Sequence, residues 1–198
     1  MKQVHIPKPR RAKKKLLKVN LGCGGNIVKG FVNIDDFLIT DNPDFLRGNA
    51  KNIPLETGTV DYLVCDQMLE HIPMADIHIV LSEIRRVLKE GAKCVIIVPD
   101  FRDAAEEWLR HNHNEGFNPL VYRFVSDPIY GNQNHGGEFH QTPMSAGFLH
   151  HSLNAVGLSQ HSISFWPRNG AIPSFDGMIP YAPKAVLRNA QLVVEITR

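Results

Sequence analysis

The chain has 198 residues, enough for one domain that buries a core without disulfides or a structural metal. Its composition, 43% hydrophobic and 21% charged, excludes a disordered, collagenous or coiled-coil chain. The net charge of +2 is unevenly distributed, since residues 1–18 hold eight of the 22 basic side chains and none of the 20 acidic ones. We therefore expect a basic arm, residues 1–15, followed by a weakly acidic domain, residues 16–198.

Neither a membrane-spanning segment nor a signal peptide is predicted. No apolar run reaches the 18 residues or more that a transmembrane helix needs. The three cysteines, Cys23, Cys65 and Cys94, lie in separate apolar runs, which favours free thiols over disulfides or a zinc site. These features predict a cytoplasmic location.

After the arm, short apolar runs alternate with helical patterns, which is typical of an α/β fold. Strands are predicted at residues 16–21, 31–34, 62–65, 94–98, 162–166 and 191–197. Apolar residues from Ile77 to Leu88 recur at spacings of three and four, which predicts an amphipathic helix with Lys89 in its last turn and Gly91 as its C-cap.

Residues 101–181 differ from the rest of the chain in composition. They hold 12 of the 16 aromatic residues and seven of the 10 histidines. Ligands of open α/β sheets lie outside the carboxyl ends of the strands, where an insertion after the strand at 94–98 would also lie. We therefore expect residues 16–100 to form a cofactor half, 101–181 an acceptor-binding insertion or lid, and 182–198 the final strand region.

A glycine-rich turn follows the first predicted strand. Gly22 and Gly24 allow positive φ and a close approach of a ligand to the backbone, and Asp35 ends the next strand, where it can accept hydrogen bonds from a ribose. The dinucleotide fingerprint requires glycine where this chain has Ile27, and its acidic residue comes later than Asp35 does. A nicotinamide dinucleotide is therefore disfavoured.

With these features, the sequence resembles the class I S-adenosylmethionine-dependent methyltransferases, in particular the small type with a Leu-Glu-His segment after the fourth strand. The matching stretches are LGCGG at 21–25, GFVNID at 30–35, GNAKNIPL at 48–55, VDYLVCDQMLEHI at 60–72 and EIRRVLKEG at 83–91. The resemblance implies a Rossmann-like, doubly wound and mostly parallel sheet of about seven strands with helices on both faces.

The same resemblance implies S-adenosyl-L-methionine as the cofactor and names the residues that bind it. Eight positions match the family's cofactor site: Gly22, Cys23, Gly24, Asp35, Asn49, Ala50, Asp66 and Gln67. The glycines would contact the methionine end and Asp35 the ribose, while Asn49 stands where the family often has aspartate beside the adenine.

Two histidines are the candidates for catalysis. His71 follows the strand that leads into the cofactor site, and an imidazole with an ordinary pKa near 6.5 suits proton transfer. The alternative is that Glu70 and His71 only begin and position a helix. His140, like Glu138, is expected on a loop over the cofactor, where either could bind the acceptor.

No metal site is predicted. Some ubiquinone-pathway O-methyltransferases that the sequence resembles bind a metal through Glu-x-x-Glu-His, but Gln67 replaces the first glutamate here. The cluster of His135, Glu138 and His140 does not have the spacing of a known helix-borne site.

The resulting prediction is a methyltransferase that acts on oxygen or nitrogen of a small-molecule or glycan-like acceptor. The alternative is a protein of the same fold with a binding or structural role. In that case residues 2–18 would dock nucleic acid, by sequence-independent phosphate contacts, or a protein partner.

Overall fold

The computed structural model describes residues 16–111, 126–134, 136–166 and 190–198. The expected basic arm, and His135, lie outside these residues. Within them a seven-stranded sheet has the order β3-β2-β1-β4-β5-β7-β6, and β7 is antiparallel to both of its neighbours while the other pairs are parallel. The strands are β1 (Lys18–Leu21), β2 (Val32–Asp35), β3 (Phe45–Arg47), β4 (Val60–Asp66), β5 (Leu88–Pro99), β6 (His161–Trp166) and β7 (Gln191–Thr197). The predicted mostly parallel, seven-stranded sheet is confirmed.

Three helices of ten or more residues accompany the sheet in the described part of the chain. They are α1 (Ile77–Val87), α2 (Phe101–His111) and α3 (Ala146–Ala155). Two short 3-10 turns, Leu69–His71 and Met74–Asp76, connect β4 to α1, and residues 126–130 form a further helical turn. None of the described helices combines the length and apolar character that a membrane crossing requires.

Helices α1 and α3 cover one face of the sheet. The apolar residues of α1 that recur at the predicted spacing are all buried there: Ile77, Val80, Leu81, Ile84 and Val87. They pack with α3 against alternate residues of the strands, including Leu63 and Ile96. Removing this apolar surface from water contributes about 25 cal/mol per Å² to the free energy of folding. This burial holds α1 against β4 and β5.

On the opposite face of the sheet, near β1 and β2, a loop packs against the strands in place of a helix. Residues 22–31, which join these two strands, contain no helix. Instead Val28 and Phe31 of this connection pack on Tyr62 and Val64 of β4. The glycine turn after β1 is therefore a loop and not the start of a helix.

The predicted end of α1 is wrong. The helix ends at Val87, and Leu88 is already extended, with φ −65° and ψ 143°. Lys89 lies in β5 and forms an ion pair with Asp61 of β4, while Gly91, at φ 75°, lies inside β5. The pairing of β5 with β4 shifts in register between Leu88 and Lys93. Gly91 therefore lies at a bulge in the strand and does not cap a helix.

All three cysteines are buried and free, which confirms the prediction of free thiols. Strand β3 was not predicted because it has only three residues, two of them exposed, and so gives no periodic signal.

Candidate functional site

A cavity of about 1310 Å³ opens at the carboxyl ends of the parallel strands. Its walls include Leu21, Asp35, Asp66 and Pro99, the last residues of β1, β2, β4 and β5, together with parts of the segment 127–141. A single small ligand commonly occupies roughly 300–1,000 Å³, so this space suits a cofactor and a second reactant together.

The glycine turn is held against β2 by its backbone. The amides of Gly22 and Cys23 both donate to the carbonyl oxygen of Ile34, at 2.8 and 3.1 Å. Gly22 has φ 71°, and a Cβ placed on it would lie 2.1 Å from Cγ of Met68. Glycine is therefore required at this position both by the backbone conformation and by the side chain opposite.

Asp35 joins this turn to the loop that follows β2. Its Oδ2 accepts from the amide of Gly24 at 2.9 Å, and its Oδ1 accepts from the amides of Phe37 and Leu38 at 2.8 and 3.0 Å. These bonds hold the carboxylate at the cavity wall. Among the described residues Oδ2 accepts one hydrogen bond, so it can take a second from a hydroxyl. The position fits the ribose contact expected of Asp35.

Asn49 is placed on the wall as predicted, but its amide has other partners. Its Nδ2 donates to Oδ2 of Asp36 at 2.8 Å, and its Oδ1 accepts from the amide of Lys51 at 2.9 Å. Asp36, with Phe37 and Ile39, also lines the cavity, and both apolar side chains are largely exposed, at 65% and 88%. These three residues were missed, although their position directly after Asp35 could have indicated them.

Gln67 leaves β4 in a left-handed conformation, with φ 53°. Its side chain crosses to β7, where Nε2 donates to Oε1 of Gln191 at 2.7 Å. Gln191 is buried and lines the same cavity, and Asp66 and Ala50 also lie on its wall.

Cys23 is the one predicted cofactor residue that does not line the cavity. It is 5% exposed, and its Sγ contacts the carbonyl oxygen of Gly24. Burial and, secondarily, the nearby Asp35 raise the pKa of the thiol to about 12, so it is not a thiolate near neutral pH. Its contribution to the turn is the backbone amide.

The two catalytic candidates, His71 and His140, come together. Their ring centroids are 4.7 Å apart with an interplanar angle of 82°. Nδ1 of His71 lies 3.1 Å from the carbonyl oxygen of Phe139, and Nδ1 of His140 lies 2.8 Å from that of Pro128. Because a carbonyl oxygen only accepts, each ring carries a hydrogen on Nδ1, and in the neutral form of the ring the lone pair is then on Nε2. Burial lowers the pKa of His140, which favours its neutral form.

Glu70 lies beside these rings and is 2% exposed. Neither carboxylate oxygen has a hydrogen-bond partner among the described residues, and burial raises the pKa of the carboxyl to about 8. One of its oxygens, one imidazole nitrogen of His71 and one of His140 all lie within 4.8 Å of one another. A buried carboxylate without a partner is costly, so its presence at a cavity wall calls for a ligand or a proton.

The segment 139–142 is fastened to the segment 70–72. The amides of Gln141 and Thr142 donate to the carbonyl oxygen of Glu70 at 2.8 and 3.1 Å. Nε2 of Gln141 donates to the carbonyl oxygen of His71 at 2.7 Å, and Oγ1 of Thr142 donates to that of Ile72 at 2.6 Å. These bonds hold His140 next to residues 70–72, which follow β4.

Glu138 also lines the cavity, as its predicted acceptor role requires. Its Oε2 accepts from the amide of Asn134 at 2.9 Å, which shapes the loop before His140. Gly131, at φ 78°, faces this loop so closely that a Cβ on it would lie 1.7 Å from the carbonyl oxygen of Glu138.

Part of the sequence matches known proteins. Residues 19–96 match the family model described as a methyltransferase domain. An uncharacterized 37.1 kDa protein of transposon Tn4556 from Streptomyces fradiae is 30% identical over 101 residues, which is 51% of this chain but only 28% of that protein.

The solved structures with similar folds share little sequence with this chain. An S-adenosylmethionine-dependent methyltransferase of Thermotoga maritima, described as a possible histamine N-methyltransferase, has a TM-score of 0.58 at 16% identity and covers 91% of this chain and 81% of its own. An Archaeoglobus fulgidus methyltransferase has a TM-score of 0.56 at 13% identity, covering 94% and 87%. The 1,6-didemethyltoxoflavin N1-methyltransferase of Burkholderia thailandensis, solved with S-adenosylhomocysteine, has a TM-score of 0.53 at 14% identity, covering 92% and 70%.

Residues 19–96 thus match a methyltransferase domain, and the fold is shared with solved S-adenosylmethionine-dependent methyltransferases, in agreement with the resemblance stated from the sequence. The cofactor that this domain and fold indicate is S-adenosylmethionine. The glycine turn and Asp35 fit it by their geometry.

Proposed function

We propose that this protein transfers the methyl group of S-adenosylmethionine to an oxygen or nitrogen of a small-molecule or glycan-like acceptor. The observation that carries this proposal is that one cavity is lined by seven of the eight predicted cofactor residues, all but Cys23, and by His71, His140 and Glu138. The cofactor half would hold the methyl donor, and the segment 127–141 would hold the acceptor against it.

Most of the rate would come from positioning. Bound S-adenosylmethionine supplies an electrophilic methyl carbon, whose bond to sulfur breaks, leaving the electron pair on sulfur, as the acceptor atom bonds to it. Holding two reactants in line can contribute on the order of 7–11 kcal/mol. A rigid turn around Gly22 and the bonds that fix Asp35 serve this purpose.

An acceptor that arrives as an alcohol or an ammonium must also lose a proton. The carbonyl oxygens that face Nδ1 of His71 and of His140 favour the neutral tautomer with the lone pair on Nε2. Either imidazole can take that proton, because a neutral imidazole is a competent base near neutral pH.

The first experiment measures cofactor binding. S-adenosylhomocysteine at millimolar concentration should raise the melting temperature, and Asp35→Ala should abolish the rise. Asp41→Ala, at an exposed position outside the cavity wall, is the control and should keep it. No rise in the wild-type protein would contradict the proposal and favour the binding or structural role.

The second experiment measures transfer. Radiolabelled methyl groups should pass from the cofactor to members of a panel of phenols, alcohols, amines and saccharides, and His140→Ala should reduce turnover without abolishing the thermal shift by S-adenosylhomocysteine. Binding of the cofactor with no transfer to any of these classes would contradict the proposed acceptor.

A further inference from the structure

We propose that Glu70, His71 and His140 bind a divalent transition-metal ion of the zinc type at the acceptor end of the cavity. The three residues offer one carboxylate oxygen and two imidazole nitrogens, all within 4.8 Å of one another. Two histidines with one glutamate form a donor set that zinc uses in sites with an open position.

The histidines are oriented as metal ligands are. A metal-binding imidazole almost always donates its other N–H to a carbonyl or carboxylate, which fixes its tautomer and ring direction. Here the Nδ1 of His71 and of His140 face the carbonyl oxygens of Phe139 and Pro128, at 3.1 and 2.8 Å, so that Nε2 bears the lone pair in both rings.

Glu70 supplies the independent observation. Its carboxylate is almost completely buried, faces the cavity wall and has no hydrogen-bond partner among the described residues. A buried carboxylate is normally paired or bound to a metal. An ion beside the two rings would satisfy it.

The distances need only a small adjustment. With bonds of about 2.0–2.1 Å, tetrahedral ligands lie about 3.3 Å apart, so the three donors would close on the ion by side-chain rotation. Their backbones are already tied together, since Gln141 and Thr142 donate to the carbonyl oxygen of Glu70.

This site differs from the metal set considered from the sequence. Gln67 does not take part, because its amide is turned to Gln191. The third ligand is His140, which the fold brings from the insertion. His140 is about 70 residues away from Glu70 and His71 in the sequence. The prediction of no metal site considered local spacing and therefore did not include these three residues together.

The role of the ion rests on the proposed function, but its binding does not. All three residues line the cavity, so the open position of the ion faces the space for the acceptor. An acceptor hydroxyl bound there would be oriented by the metal, which would also lower its pKa so that its proton passes to water in the open cavity. The imidazoles would then act as ligands and not as the base.

Metal binding is tested on the full-length protein after treatment with a chelator and dialysis. Calorimetric titration with Zn²⁺ should give one equivalent bound, and Co²⁺ should give the visible absorption bands of a four- or five-coordinate site. Glu70→Gln and His140→Gln should each weaken Zn²⁺ binding by 100-fold or more. His161→Gln is the matched control, since His150 and His161 also meet edge to face, 5.0 Å apart, but have no place on the cavity wall.

Stability separates loss of the site from loss of the fold. In chelator, Glu70→Gln should melt no lower than the wild type, because an amide replaces a carboxylate that has no hydrogen-bond partner among the described residues. In Zn²⁺ the wild type should gain stability and Glu70→Gln should not. Equal Zn²⁺ affinity of the wild type and Glu70→Gln, or wild-type binding that His161→Gln abolishes, would overturn the proposal. If His140→Gln does not fold, Glu70→Gln decides. S-adenosylhomocysteine binding, measured alongside, reports separately on the proposed function.

Discussion

The side-chain amide of Gln67 donates to Oε1 of Gln191 at 2.7 Å, which joins the end of β4 to the start of the antiparallel strand β7. Gln67 lines the cavity in a left-handed backbone conformation, and Gln191 lies buried beside it. Strand β7 therefore supports the wall of the cavity as well as completing the sheet.

Replacing Gln191 should weaken both the fold and the site. Gln191→Ala removes a buried acceptor from Gln67, so we expect the free energy of unfolding to fall by about 1–2 kcal/mol. Binding of S-adenosylhomocysteine should weaken several-fold because Gln67 loses its support. Denaturant unfolding and calorimetry measure the two effects. Gln160→Ala, at an exposed position, is the control, and equal losses in both variants would contradict the role of the bond.

Two glycines of the turn should respond differently to the same substitution. In Gly22→Ala the new Cβ would lie 2.1 Å from Met68, whereas no atom of the described residues lies within 4 Å of a Cβ on Gly24. Both have positive φ, so Gly24→Ala carries only backbone strain of about 1–2 kcal/mol. Gly22→Ala adds an overpacking cost of about 1–3 kcal/mol. We expect Gly22→Ala to lose S-adenosylhomocysteine binding and to melt well below Gly24→Ala; equal melting temperatures would show that Met68 does not restrict the turn.

Gly131 offers a way to disturb the acceptor end alone. A Cβ on it would lie 1.7 Å from the carbonyl oxygen of Glu138 and 3.1 Å from Cδ2 of His140. Gly131→Ala should therefore displace His140, reducing methyl transfer and Zn²⁺ binding by at least tenfold while S-adenosylhomocysteine still binds. Gly136→Ala, whose new Cβ would have no described atom within 4 Å, should leave methyl transfer, Zn²⁺ binding and S-adenosylhomocysteine binding unchanged. Loss of cofactor binding in Gly131→Ala would contradict the separation of the two ends.

The pair of Glu83 and Arg86 should make stability depend on acid pH. The hydrogen bonds from Arg86, at 2.6 and 2.7 Å, lower the pKa of Glu83 below its ordinary value of 4.5, against a smaller effect of burial. A lowered pKa in the folded state gives stability that is complete above the unfolded-state pKa and is lost as the pH falls through the folded-state pKa.

Glu83→Gln should accordingly cost about 1 kcal/mol at neutral pH. The difference from the wild type should shrink as the pH falls below 4.5. Urea unfolding at a series of pH values measures it, with Glu56→Gln, at an exposed position, as the control. A difference that persists unchanged in acid would mean that the charge of Glu83 contributes nothing.

The glycine turn and Asp35 could be predicted together because β1 and β2 are adjacent parallel strands. In such a sheet the ends of neighbouring strands meet at one edge, so local pattern is enough to bring their residues together. The register of Leu21 with Ile34 confirms this arrangement.

The contact of His71 with His140 could not be predicted in that way. It depends on how residues 139–142 bond to residues 70–72, and hydrogen bonds between distant backbone groups leave no periodic signal in a sequence. The amide of Asn49 could not be assigned for a similar reason, since its partner Asp36 is set by loop geometry.

The attachment of residues 139–142 to residues 70–72 has a consequence for building chimeras. Any segment grafted into the insertion before Phe139 would leave the backbone bonds to Glu70 intact, because the donors are Gln141 and Thr142. Loops from solved proteins of the same fold could therefore be exchanged there, while a graft that crosses Thr142 would detach residues 139–142 from residues 70–72.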